Sequence, residues 1–157
     1  MKALALSAIL LAVLAVSSAP ALADGELAVT GAGEAAFSGM AEFYGVPIRG
    51  FEFVNGVSIA TDGSAVGEFQ IFLLVGSEDD AAAPIVVAGK ATRGRAEDGG
   101  AASFEGVANV QFADGQTRVD APFAATLSPE GLALSIDGAD LPVAAITMGS
   151  ITVRPTE

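Results

Sequence analysis

Beyond residue 25 the chain alternates apolar and polar positions with a period of two, the spacing of a strand with one dry and one wet face. Phe69, Ile71, Leu73 and Val75 fall on one side, Glu68 and Gln70 on the other. Phe104, Gly106, Ala108, Val110 and Phe112 alternate with Glu105, Asn109 and Gln111, and Val119, Ala121, Phe123, Ala125 and Leu127 with Arg118, Asp120 and Thr126. Leu132, Leu134 and Ile136 continue the pattern. The stretch Val143 to Val153 changes parity near Gly149-Ser150, which predicts a β-bulge there. Asp-Gly or Asn-Gly pairs stand at Asp24-Gly25, Asn55-Gly56, Asp62-Gly63, Asp98-Gly99, Asp114-Gly115 and Asp137-Gly138, and such pairs tolerate the positive φ angles of tight hairpins. Gly76 to Ala83 and Gly94 to Ala102 read as the two longest loops. A helical reading fails, because glycine recurs throughout and no long segment carries a 3.6-residue period free of Gly or Pro. The expectation is all-β: one antiparallel β-sandwich or small β-barrel of roughly eight to ten strands.

The first residues follow a different rule. Met1 and Lys2 give a positive start, Ala3 to Val16 is apolar apart from Ser7, and Pro20 precedes Ala21-Leu22-Ala23. This is the order of a secretory signal peptide, and the run is too short and too soon broken by Pro20 to serve as a membrane-spanning helix. The expected organisation is therefore a signal helix over residues 1–23, cleaved between Ala23 and Asp24, and one all-β domain over 24–157. Export to the periplasm or the extracellular medium follows.

Charge sharpens the picture. With Lys2 removed, six basic residues face 19 acidic ones, a net charge of −13 on the mature chain. Nucleic acid is disfavoured as a partner, as is an anionic lipid surface, because both need clustered Lys and Arg. The scattered carboxylates read most simply as a solubilising wall, and a lack of aromatic girdles argues against a membrane-spanning barrel. Histidine and cysteine are both missing, which removes Ser-His-Asp and Cys-His nucleophiles, thiolate and imidazole metal sites, redox dithiols and disulfides. No cofactor is expected.

What chemistry remains is thin. Gly31-Ala32-Gly33-Glu34-Ala35-Ala36 fits G-x-G-x-x-A in letters, but Gly39, Gly45 and Pro47 forbid the crossover helix that a dinucleotide site requires, so a glycine-rich strand is the better reading. Glu34, Glu42, Glu52, Glu68 and Glu105 fall on predicted strands, and two carboxylates about 5 to 9 Å apart can cleave a glycosidic bond. With no Trp and a single Tyr, Tyr44, to hold a sugar, solvated outward carboxylates are favoured instead. Glu78-Asp79-Asp80 and Glu97-Asp98 offer oxygens to calcium but match no calcium-loop pattern. Lys90, Arg93 and Arg95 form the one basic cluster. Arg93 and Arg95 point the same way along a strand and can grip a carboxylate or phosphate, although pairing with Glu97 or Asp98 is the commoner outcome. The nine Phe residues either fill the interior or line a cavity for one small ligand.

From Phe51-Glu52-Phe53 through Asp62-Gly63 to Gly67-Glu68-Phe69, the chain resembles small secreted bacterial all-β proteins with an F-x-F strand, a D-G turn and a G-x-F strand. The resemblance covers about twenty residues of general hairpin chemistry and implies an exported β-domain without implying an activity. The expectation is an exported, non-enzymatic binding or structural module, whose partner is a small apolar ligand or another protein. The alternative is a lipocalin-like barrel carrying an apolar ligand, with carboxylate-based cyclase or isomerase chemistry at Glu52 or Glu68. A third class is a subunit that assembles through an exposed sheet edge.

Overall fold

A computed structural model describes residues 26–76 and 82–156. The signal peptide with its Ala23/Asp24 junction, the Asp24-Gly25 pair and the acidic run Glu78-Asp79-Asp80 lie outside the described residues. Nine strands follow in order: β1 (Leu27–Phe43), β2 (Val46–Ile59), β3 (Ser64–Val75), β4 (Ile85–Glu97), β5 (Ala101–Gln111), β6 (Thr117–Ser128), β7 (Gly131–Ile136), β8 (Ala139–Asp140) and β9 (Ala144–Pro155). Strands β1 to β7 form an antiparallel meander, β7 pairs with β9, and β9 returns to β1. Eight strands thus close into a barrel, with β8 as a two-residue addition to the side of β7. The all-β expectation holds, and of the two architectures it allowed the structure is the barrel.

Closure is uneven around the circumference. β9 is zipped to β1 from Leu27 to Phe37, but it meets β7 at only two register pairs, Gly131 with Ala145 and Leu132 with Ala144. This short seam is where the first and last parts of the meander must find each other.

The period-two reading places side chains correctly on β3, β5 and β7, whose Phe69, Ile71, Leu73, Phe104, Ala108, Val110, Leu132, Leu134 and Ile136 are all buried. On β6 it fails at one residue. Ala108 pairs with Ala121 and Val110 with Arg118, so Asn109 faces two residues, Val119 and Asp120; Asp120 takes φ 53°, and its N–H donates to the Asn109 Oδ1. This bulge turns Val119 outward, 69% exposed. The predicted bulge in β9 also exists, two residues before Gly149: Glu34 pairs with Met148 and Ala35 with Ile146, leaving Thr147 as the extra residue. Gly149 itself takes φ 86°, and a Cβ there would strike the Ala32 carbonyl oxygen, so the close β1–β9 approach requires glycine.

Two turn expectations are corrected. Asn55-Gly56 lies in mid-β2 and is not a turn: Asn55 is buried, and its Nδ2 donates to the Val29 carbonyl at 3.0 Å, a cross-strand role that a hairpin position would not allow. Gly94 to Ala102 is not a long loop either, because β4 runs to Glu97 and β5 starts at Ala101, leaving a three-residue 3-10 turn at Asp98–Gly100.

The interior is filled by aromatic rings. Phe69 stacks on Phe123 with centroids 5.2 Å apart, and Phe104 meets both edge-on at 5.9 and 6.1 Å; Phe51 links Phe37 and Phe53 at 5.7 and 6.4 Å. An eight-stranded barrel is just wide enough for its inward side chains to fill it.

Candidate functional site

Glu52 and Glu68 are exposed on the outer wall, as are Glu42 and Glu105. Glu34 and Glu52 are direct cross-strand neighbours, two like charges side by side on the outside of the barrel. Arg93 and Arg95 also face outward, paired in register with Glu105 and Ser103, while Gly94 between them faces the Ile59 side chain. The two arginines do not converge: Arg95 Nε donates to Glu97 Oε1 at 2.7 Å. That carboxylate also receives Ser103 Oγ at 2.5 Å, and the Ser103 hydroxyl first, then Arg95, hold it below the usual carboxylate range. The structure therefore does not bring Glu52, Glu68, Arg93 and Arg95 into one site. The G-x-G run of Gly31 and Gly33 lies within β1.

A cluster that the sequence did not announce forms where the hairpin tips meet at one end of the barrel. Tyr44 sits at the β1–β2 turn with φ 53°, followed by Gly45. Asp137, also at φ 53°, starts the turn after β7, Arg118 is the second residue of β6, and Phe112 follows β5. The Tyr44 hydroxyl and Arg118 Nη1 both donate to Asp137 Oδ2, and the Arg118 guanidinium lies 4.9 Å from the centre of the Tyr44 ring. Phe43 and Phe112 press edge-on against that ring at 4.8 and 5.5 Å. The hydrogen bond from Tyr44, then that from Arg118, lowers the Asp137 pKa; the same bond to Asp137 raises that of Tyr44. With its carboxylate doubly engaged and its phenol held protonated, the cluster is a clasp across the barrel end and offers neither a free base nor a free nucleophile. Its members lie as far as 93 positions apart, and Tyr44-Gly45 is not one of the turn pairs that mark hairpins, so no local signal pointed to it.

The second feature sits on the barrel wall close to that end. Ala36 pairs with Gly50 and Ala41 with Ile48, so β1 spends four residues, Phe37 to Met40, where β2 spends one, Arg49. On the other side Ile48 pairs with Val75 and Gly50 with Leu74, leaving Arg49 as the unpaired residue there too. The double irregularity opens a groove of about 320 Å³ whose walls include Phe37, Gly39, Met40, Pro47 and Ile48, with Arg49 among them. Among the described residues, the buried Arg49 Nη1 has no hydrogen-bond partner and Arg49 joins no ion pair. At the opposite end a second cleft of about 250 Å³ is bordered by Leu27, Ile59, Thr61 and Arg95.

In comparisons with protein-family models, curated proteins and solved structures, the chain matches none of them.

Proposed function

We propose that this protein is an exported, non-enzymatic β-barrel module that acts by binding at its rim and outer wall. The observation that carries this reading is the filled interior: Phe69, Phe104 and Phe123 pack against one another across the barrel, each 4% exposed or less. A ligand seated there would have to displace rings that fill the space. The signal-like N-terminus supports export. Charges at mid-strand on the outer wall, Glu68 opposite Lys90 and Glu105 opposite Arg93, support a barrel bathed in water, since a lipid-facing wall needs an apolar band there.

The lipocalin-like reading keeps one observation in its favour, the closed eight-stranded barrel with an apolar inside. Native mass spectrometry of protein isolated gently from its own source separates the two. Rim and wall binding predicts a bare barrel, or one holding a partner that dilution strips away. A small apolar molecule retained through unfolding-resistant desolvation would overturn the filled-interior reading and favour carriage.

A further inference from the structure

We propose that the groove under the β1 bulge binds a small carboxylate with an apolar tail, of the size of a medium-chain fatty acid. The inference rests on the rim-and-wall reading and names its ligand class. Burying a guanidinium nitrogen with no acceptor is costly, and a native structure commonly answers such an orphan with a partner. Arg49 is such a case, because both ladders skip it and Nη1 is left buried without a partner among the described residues. The rest of the groove sets the other half of the ligand. Met40 and Pro47 offer carbon surface over the nearly buried Phe37 and Ile48, and Met40, 83% exposed, can fold over a tail because its side chain is flexible and polarisable. A planar guanidinium matches a carboxylate in two parallel hydrogen bonds. One arginine with no second cation beside it suits a monoanion better than a phosphate, and the carbon lining favours a tail over a free inorganic ion. At about 320 Å³ the groove is at the lower end of the range for small-molecule sites.

The test is an amide NMR titration of the protein with octanoate at physiological salt, with octanol as the uncharged control. The expected result is saturable shifts confined to residues 37–40 and 47–50. Octanol should bind more weakly. Arg49→Gln should weaken octanoate about tenfold or more, the worth of one charge-assisted hydrogen bond, and Arg49→Lys should restore part of the loss. Gly39→Leu is the steric control: a Cβ at Gly39 meets nothing within 4 Å, so the variant should fold normally and block the groove. Absent shifts, or shifts equal in the wild type and Arg49→Gln, overturn the groove and leave the rim-and-wall reading standing. Shifts centred on Phe69, Phe104 and Phe123 overturn both.

Discussion

The filled interior makes a quantitative demand on Phe69. The ring is 1% exposed, stacks on Phe123 and meets Phe104 edge-on. Truncation to alanine in a packed core removes transfer free energy and leaves a cavity, together about 3 to 5 kcal/mol. At about 3 °C per kcal/mol for a chain of this length, Phe69→Ala should lower the melting temperature by roughly 10 to 15 °C. Far-ultraviolet circular dichroism, read during heating and in urea, measures both quantities. Phe69→Leu is the milder companion, keeping most of the volume while losing the two aromatic contacts, each worth about 0.5 to 1.5 kcal/mol. Val119→Ala is the control, since the 69% exposed Val119 should change stability by no more than about 0.5 kcal/mol. A dry cavity admits small apolar molecules, so benzene should stabilise Phe69→Ala against heat and leave the wild type unmoved. A Phe69→Ala loss under about 1 kcal/mol, no larger than that of a surface site, together with benzene stabilising the wild type, would mean that the barrel is hollow, and the argument against carriage would fail.

The Tyr44–Asp137–Arg118 clasp predicts a spectroscopic effect at alkaline pH: Tyr44 is the only tyrosine and there is no tryptophan, so tyrosinate absorbance titrates one group. Asp137→Asn should bring that midpoint down toward the unperturbed value of 10.0. Because Asp137 has a folded pKa below its unfolded 3.8, its contribution to stability is present above that pH and fades as pH falls through the folded value; the gap in melting temperature between wild type and Asp137→Asn should narrow below it. Gly149→Ala should destabilise by about 1 to 3 kcal/mol in urea titrations, because the φ of 86° and the nearby Ala32 carbonyl oxygen both oppose a side chain. Glu52→Lys should raise stability by about 0.2 to 1 kcal/mol by replacing a like-charge pair across from Glu34 with an opposite one, and a loss on the same scale would show that the outer-wall register is not as described.

The faces of β3, β5 and β7 were legible because no extra residue falls within their own apolar cores: β3 and β7 pair there without a shift, and the bulges beside β5 put their extra residues on β4 and β6, so a period of two in sequence stays a period of two in space. Val119 was misread because a bulge inserts one residue without changing the composition of the strand, and the switch of face depends on the Asn109 side chain reaching the Asp120 N–H, a contact between strands. Asn55-Gly56 was misread for a related reason: the dipeptide carries turn propensity, but burial against Val29 outweighs propensity in mid-strand. Barrel and sandwich could not be told apart from the pattern, since both need the same alternation. Only the β7–β9 and β9–β1 pairings decide between them, and these are set by contacts distant in sequence. The same limit hid the clasp and the groove. Tyr44, Arg118 and Asp137 meet only once the hairpin tips meet, and Arg49 is set apart by two register shifts rather than by any motif.

Closure also bears on how such a barrel meets other molecules. A sheet edge invites strand addition, and beyond Ile146, whose N–H donates to the Glu130 carbonyl at 3.4 Å, the outer side of β9 has no ladder partner among the described residues. That edge is poorly made for pairing: Thr147 bulges out of register, Gly149 carries a positive φ, and Pro155 lacks a donor. These are the devices by which β proteins blunt their edges, which weighs against assembly by strand addition along the whole of β9. The irregularity at Phe37–Met40 differs in kind, since it opens a groove, exposes Met40 and leaves a buried guanidinium nitrogen without an acceptor. A bulge that only protected an edge would leave its polar groups in water. One that buries a guanidinium nitrogen beside carbon surface creates a demand for an amphipathic anion, and on that difference the wall groove is a stronger candidate for recognition than the β9 edge.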